Sequence, residues 1–569
     1  EMKTACTFYT YDSVQDTYNP ITKVAKGELM EKTQPYYKTT QQYSLNYKNT
    51  FNDLHDVEAL ALWEWKETNT NWFMARRYYS TTSAIPELDR GDVDNMYNEG
   101  NSAVYKYGGL VGRLNYVYAG KYMAEFSFRY DGSYKTAPDK RWGFFPAVSA
   151  GWRISEEQFM KDLVPQMDNL KLRASWGSIG NDSQLNASQF VSGWQFEDRF
   201  ILGGAGNSSA SITNGMKEAN LANPNITWYK VMTTNVGLDG SFWGGKLSFE
   251  FDYFYRKTTG YPATRNTSLP TTSGIPLPQE NLNSSDNRGF ELSLGTVQRI
   301  GNVNLQIKGN VAYAREKDLY KEQALPLNQY KNWRDNGAYR WKNVTWGYEH
   351  IGQFQSYDEI YNSPIQDGKG NSSLRPGDIK YKDLNGDGLI DANDEKVIGK
   401  GTFPDLNFGL TLAADWKGFD VNILFQGASN YTQVLNALTS PFRGPGEGNG
   451  FRVWMDSWHK ADYNDPDSEW VPGKFPSLRI EGNDNNSKKS TYWTTDAYYV
   501  RLKSIEIGYT IPKNLLSKVG IEHLRVYANA YNPLTITNVK YTDPEAIEGW
   551  QSFYYPQLKV YSFGVNVSF

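Results

Sequence analysis

The segment KLSFEFDYFY, residues 246–255, alternates without a break. Leu247, Phe249, Phe251, Tyr253 and Tyr255 fall on one side of an extended chain, and Lys246, Ser248, Glu250 and Asp252 on the other. A period of two with one apolar and one polar face predicts a half-buried β-strand. The pattern returns in NVNLQIKGNVAY (302–313), where Val303, Leu305, Ile307, Val311 and Tyr313 oppose Asn304, Gln306, Lys308 and Asn310. In LNFGLTLAADW (406–416), Leu406, Phe408, Leu410, Leu412 and Trp416 oppose Asn407, Thr411 and Asp415. Such runs reach ten to thirteen residues. Strands of a soluble sandwich run about five or six, whereas a tilted membrane strand needs about 9–11. Length therefore favours an all-β fold, a transmembrane antiparallel β-barrel.

Bulk composition agrees. The mean hydropathy of −0.64 is polar although 15% of the 569 residues are aromatic, 41 of them tyrosine. No stretch approaches the roughly 18 consecutive apolar residues of a spanning helix, but barrel strands average out as polar because lipid-facing and lumen-facing residues alternate. A net charge of −4 gives no electrostatic reason for nucleic-acid binding. A single cysteine, Cys6, excludes an internal disulfide framework and a cysteine-based zinc site, and four scattered histidines make no metal cluster. The opening EMKTACTFYT has neither a basic n-region nor an apolar h-region; it reads as the interior of a longer protein.

Connection lengths test the barrel independently, since outer-membrane barrels alternate short periplasmic turns with long external loops. Short links occur at 52–56, 119–121, 240–246, 299–302 and 416–419, and long polar segments at about 67–108, 179–227, 258–288, 315–403 and 428–497. Short helices are expected in two further links, 154–168 and 512–523. Aromatics in NYVYAGKY and FDYFYRK gather near strand ends, where an interfacial girdle belongs. The chain ends in KVYSFGVNVSF, with Tyr561, Phe563, Val565, Val567 and Phe569 on one face. About fifteen strands are expected, plus a stub at 6–11. From a periplasmic C-terminus, every long segment falls outside.

Several motifs then follow one another in a family's order. YGGLVGRLNYVYAGKYMAEFSFRYDGS (107–133) with GFFPAVSAGWRISEE (143–157) resembles the SusC/RagA-type TonB-dependent outer-membrane transporters. The segments at 223–239, 287–294, 375–399, 404–410, 418–427 and 499–512 continue the resemblance, as does the terminal FGVNVSF. One departure is Tyr134, which follows Asp131-Gly132-Ser133 where the family usually has a second serine. The resemblance implies that residues 1–569 form the C-terminal part of a 22-stranded outer-membrane barrel. The family's plug domain and TonB-contacting segment have no counterpart in these residues. It further implies import of oligosaccharides or peptides, a SusD-like lipoprotein lid over the external mouth, and energising by TonB–ExbB–ExbD through the plug. A dimer of transporter–lipoprotein pairs is within its range. The alternative is a surface glycan- or peptide-binding barrel without active transport.

Within 315–403, DLNGDGLIDANDE (383–395) reads like a calcium loop. Asp383, Asn385, Asp387, Asp391 and Asp394 occupy positions 1, 3, 5, 9 and 12, with Gly388 at the turn and the Leu389 carbonyl at position 7. The reading is Ca2+ or Mg2+ in an external clip. The bland alternative is a set of Asx turns whose carboxylates bond local amides. For ligand contact, the long segments offer Trp333, Tyr339, Trp341, Trp346 and Tyr348, then Trp454, Trp458 and Trp470; such rings stack on sugars, pack loops, or meet a lid. Catalysis has little support, and an outer-membrane enzyme barrel is a third alternative. GNDSQLNASQF (180–190) lacks a nucleophile-elbow pattern, and Glu156-Glu157 read as helix-start charges.

Overall fold

The computed structural model describes residues 2–3, 8–12, 15, 17–21, 27–79, 87–94, 96–187, 189–202, 211–266, 277–326, 328–435, 438–439, 451–479, 484–516, 520–546 and 557–569. Cys6 and parts of every long segment named above lie outside the described residues. One antiparallel meander dominates: β1 (Tyr36–Phe51), β2 (His55–Tyr79), β3 (Tyr97–Tyr118), β4 (Tyr122–Ser133), β5 (Trp142–Arg153), β6 (Met167–Asn181), β7 (Tyr229–Phe242) and β8 (Leu247–Thr264). It continues through β9 (Gln279–Ile300), β10 (Val303–Tyr320), β11 (Leu406–Trp416), β12 (Phe419–Val434), β13 (Thr494–Thr510), β14 (His523–Thr537) and β15 (Val560–Ser568). Each strand registers against the next in sequence. Two short strands, Met2–Lys3 and Gly27–Thr33, bring the sheet to seventeen; Gly27–Thr33 pairs with the far end of β2 beyond β1. The segment expected as a stub forms Phe8–Asp12, paired with Thr17–Ile21 in a separate hairpin.

Register keeps the two faces distinct across the sheet. Leu172 of β6 faces Leu238, which faces Phe251, then Leu292, Val311, Phe408 and Gly427 of β12. A one-residue slip anywhere would turn this apolar row to the other side. Gly427 is glycine because the Phe408 ring lies over it; a Cβ there would stand 2.2 Å from the ring. The neighbouring row reads Arg173, Gly237, Asp252, Glu291, Ala312 and Asn407. There Arg173 bonds Asp239 at 2.6 and 2.7 Å and Asp252 at 3.0 and 3.1 Å, tying three strands. Gly237 lies between the partners, and a Cβ on it would press 2.7 Å from the guanidinium. Arg525 repeats the device with Asp420 and Glu506 over Gly508. Each pair contributes little where water reaches it, on the order of 0–1 kcal/mol, but together they fix register on the polar face.

The short links all lie at one end. β7 turns into β8 through Gly244 and Gly245, at φ 67° and 77°, whose amides donate to the Asp168 carboxylate at 3.0 and 2.8 Å. β5 reaches β6 through a helix at Gln158–Leu163, and β13 reaches β14 through Lys513–Leu516. Glu157, read as a helix-start charge, stands at the N-cap of that helix and accepts bonds from Tyr122, Trp152 and Lys121, which clips this end of the sheet. Aromatics ring it: Tyr118 on Tyr122, Trp416 on Phe419, and Phe419 on Tyr509 at 4.5 Å between centroids.

At the opposite end the strands overrun the expected bounds. β2 extends to Tyr79 and β3 begins at Tyr97, with unbroken register from His55↔Tyr118 to Arg76↔Tyr97. Residues 66–71, KETNTN, are polar on both faces, so the alternation fades although the ladder continues.

With the apolar face in hydrocarbon, Phe251→Arg should cost about 2–4 kcal/mol near mid-strand. Ser293→Arg, on the polar face beside Glu250, should cost less than about 1 kcal/mol. Urea unfolding of the protein reconstituted in phospholipid vesicles checks both; equal costs would contradict the assignment of faces.

Candidate functional site

The largest buried cluster among the described residues stands beyond the sheet, in the two longest connections. Ile379, Tyr381 and Ile390, from between β10 and β11, pack with Leu438, Trp454, Phe475 and Trp493, from between β12 and β13. Backbone bonds stitch the two connections together, Tyr348 N–H to Lys489 C=O at 2.9 Å and Thr491 N–H to Tyr348 C=O at 3.0 Å. Beneath lies a polar lock. Asp378, wholly buried, pairs with Arg479 and accepts Asn486 Nδ2 at 2.8 Å and the Arg375 amide at 3.0 Å. Gln366 and Asn485 bond each other and both donate to the Ile379 carbonyl. Burial pushes the Asp378 carboxyl up, opposed by Arg479 and Asn486. An ion pair this deep contributes positioning more than net stability, yet removing one partner is costly.

This core settles where the aromatic candidates stand. Trp454 and Trp458 are each only 4% exposed: Trp454 packs on Phe475 and Trp493, and the Trp458 indole donates to Gln353 at 3.2 Å. Both are packing residues in this conformation because two connections share them. Tyr348 is half-buried against Tyr381, and burial pushes its hydroxyl up to about 12. Trp470 lies under Lys460. Trp341 is pinned by the Arg315 guanidinium at 4.3 Å. Trp333 and Tyr339 are 56% and 73% exposed. Trp333 meets Trp346 edge-on at 6.1 Å and Tyr330 at 5.6 Å, with Arg340 beside both tryptophans.

The 383–394 loop supports that platform. Tyr330 donates to the Asn393 carbonyl, and Arg334 pairs with Glu395 at 2.6 Å. Inside the loop, Asp383 accepts the amides of Gly386 and Gly388 at 2.7 and 2.9 Å. Asn385 accepts that of Asp387, Asp387 that of Leu389, and Asp391 that of Asn393. Asp394, buried, accepts from Leu384 and Asp391 at 2.8 and 2.9 Å. Burial raises the Asp383 carboxyl, but the amides of Gly388, Gly386, Asp387 and Asn385 outweigh it and hold it below the usual range. Among the described residues no three carboxylates or imidazoles converge as a metal-holding group. A second Asx knot lies upstream. Asp367 accepts the amides of Lys369, Asn371 and Ser373 and the Ser373 hydroxyl at 2.7–2.9 Å. These outweigh the effect of burial and bring its carboxyl down to about 2.

A site that motif reading overlooked opens on the polar face of β6–β10, at the same end. It is a cleft of about 670 Å3 lined by Tyr229, Tyr261, Arg256, Lys321, Lys342, Glu316 and Asp318, among hydroxyl and amide side chains. Lys342 bridges Glu316 at 2.6 Å and Asp318 at 3.2 Å. The rings of Tyr229 and Tyr261 meet edge-on at 5.3 Å. Parity with Glu250 and Asp252 places Arg256 on the polar face from the sequence, but no spacing brings Lys321 and Lys342 beside it.

The family model described as "TonB dependent receptor-like, beta-barrel" matches residues 4–533. The chain is 28% identical to TonB-dependent receptor P3 of Formosa agariphila, over 100% of this chain and 56% of that protein. It is 26% identical to TonB-dependent receptor SusC of Bacteroides thetaiotaomicron, over 80% of this chain and 43% of the relative. It thus spans about half the length of the curated relatives it matches. In fold it is similar to the RagAB peptide importer in its open-open state, with a TM-score of 0.76 at 21% identity, covering 97% of this chain and 56% of that chain.

Asp378→Ala should strand the Arg479 charge and loosen both connections by about 3–5 kcal/mol, read as faster hydrogen exchange at 375–381 and 484–493. At the Asp367 knot the folded carboxyl lies below its unfolded value of about 3.9. Its contribution is full above that value and disappears as pH falls through about 2. Amide protection at 369–373 should therefore survive at pH 3 and fail near pH 2; failure already at pH 4 would contradict the knot.

Proposed function

The chain belongs to the TonB-dependent receptor-like β-barrel family, and we propose that it forms the transporting barrel of an outer-membrane importer for oligosaccharides or peptides. The observation that carries this reading is the polar face, lined with cross-strand ion clusters and opening at one end onto a cleft and an ordered loop platform. A wet interior behind an apolar exterior is a conduit, and concave polar sites at its mouth select what enters. The RagAB neighbours are a peptide importer, which supports the peptide class; the oligosaccharide class comes from the motif resemblance to the SusC/RagA-type transporters. A SusD-like lipoprotein closing over the loop platform would have exposed aromatics such as Trp333 and Tyr339 to meet. Drive from TonB–ExbB–ExbD would act through a plug, and two transporter–lipoprotein pairs assembling together fit the same reading.

The 383–394 loop is proposed to take Ca2+ or Mg2+ weakly, in the 10⁻⁴–10⁻³ M range of extracellular modules. Its support is the spacing of Asp383, Asn385, Asp387, Leu389, Asp391 and Asp394. Millimolar Ca2+ should then slow proteolytic cleavage between 383 and 395, and chelation should reverse this. An unchanged cleavage rate leaves the Asx turns as the whole explanation.

Uptake should cease when TonB is deleted in cells that carry the full-length protein and its lipoprotein, while surface binding persists. Uptake that continues without TonB would favour a capture barrel without active transport.

A further inference from the structure

The cleft on β6–β10 has an uneven charge balance. Three cations and two carboxylates line it, and both carboxylates are engaged by Lys342. Arg256 and Lys321, both exposed, have no ion-pair partner among the described residues. Arg256 projects from the polar face of β8, where its registered neighbours are Thr233 and Asn287, neither of which carries charge. Lys321 follows directly on β10. Two uncommitted cations in one concavity repel each other and raise the local concentration of anions. They gain most from a ligand that brings its own negative charge.

The rest of the lining narrows the ligand. Asn181, Thr258, Asn283, Ser284 and Ser285 offer hydroxyls and amides, and among the described residues that line the cleft Val231 is the one aliphatic side chain. A peptide's apolar side chains would find little to bury against, whereas sugar hydroxyls would find donors and acceptors throughout. Tyr261, 39% exposed, adds a ring face for a pyranose to stack on. The volume, about 670 Å3, lies within the roughly 300–1,000 Å3 of small-ligand sites.

We propose that this cleft receives an acidic oligosaccharide, with Arg256 and Lys321 selecting its carboxylate or sulfate groups. The inference rests on the importer reading above and deepens it by naming the ligand class.

The test is calorimetric titration of the full-length protein in detergent. The probes are an oligogalacturonate, a sulfated oligosaccharide, a malto-oligosaccharide of equal length and a glutamate-rich peptide. At least one acidic sugar should bind at least tenfold more tightly than the neutral one, with affinity falling as salt rises. Arg256→Gln and Lys321→Gln should each weaken that binding about tenfold, while Arg256→Lys, which keeps the charge, should retain most of it. Heat-modifiable migration on gels shows whether each variant has folded; should a glutamine variant fail, the lysine variant and the salt titration still decide. Equal affinity for acidic and neutral sugars, binding of the acidic peptide alone, or full affinity in the double glutamine variant would overturn the proposal. Uptake independent of TonB would instead sink the importer reading and leave the binding result standing.

Discussion

Hydrocarbon offers no partner to a peptide N–H or C=O, and each such group left unpaired there costs several kcal/mol. Everything in this molecule follows from meeting that constraint with an antiparallel ladder. The ladder fixes register, register fixes faces, and the faces separate lipid from water. Phe251, Leu292, Val311 and Phe408 share a row for this reason, and Arg173 and Asp252 share the next. Among the described residues, β1 and β15 each register with a single neighbour.

A consequence is that the sheet has little core of its own. Its two faces point to lipid and to the lumen, so the apolar packing that defines an ordinary domain moves into the connections. There Trp454, Phe475 and Trp493 close over Ile379 and Tyr381, and Asp378, Asn485 and Asn486 satisfy one another beneath. These connections form a buried, hydrogen-bonded rim at the same end of the sheet as the cleft.

The barrel was legible in the sequence because alternation is a direct imprint of a two-faced wall. Lys417-Gly418 and Gly301-Asn302 marked tight turns, and the terminal Tyr561–Phe569 alternation lies on the apolar face as read. Strand ends were not legible, since KETNTN at 66–71 is wet on both sides and carries no period. The roles of Trp454 and Trp458 were also hidden. Whether a loop tryptophan is presented or buried depends on contacts between segments far apart in sequence, and no local spacing records them. The cleft escaped motif reading for a related reason: Arg256, Lys321 and Lys342 meet only once β8, β10 and the connection beyond it are side by side.

The central claim is that consecutive side chains along β8 meet lipid and water in turn. A nitroxide scan from Leu247 to Arg256, each label on a cysteine introduced after replacing Cys6, measures this directly in the reconstituted protein. Collision rates with oxygen, which concentrates in the bilayer, should peak at 247, 249, 251 and 253. Those with a water-soluble nickel chelate should peak at 248, 250, 252 and 256. Profiles without a period of two, or with both faces open to the chelate, would contradict the account.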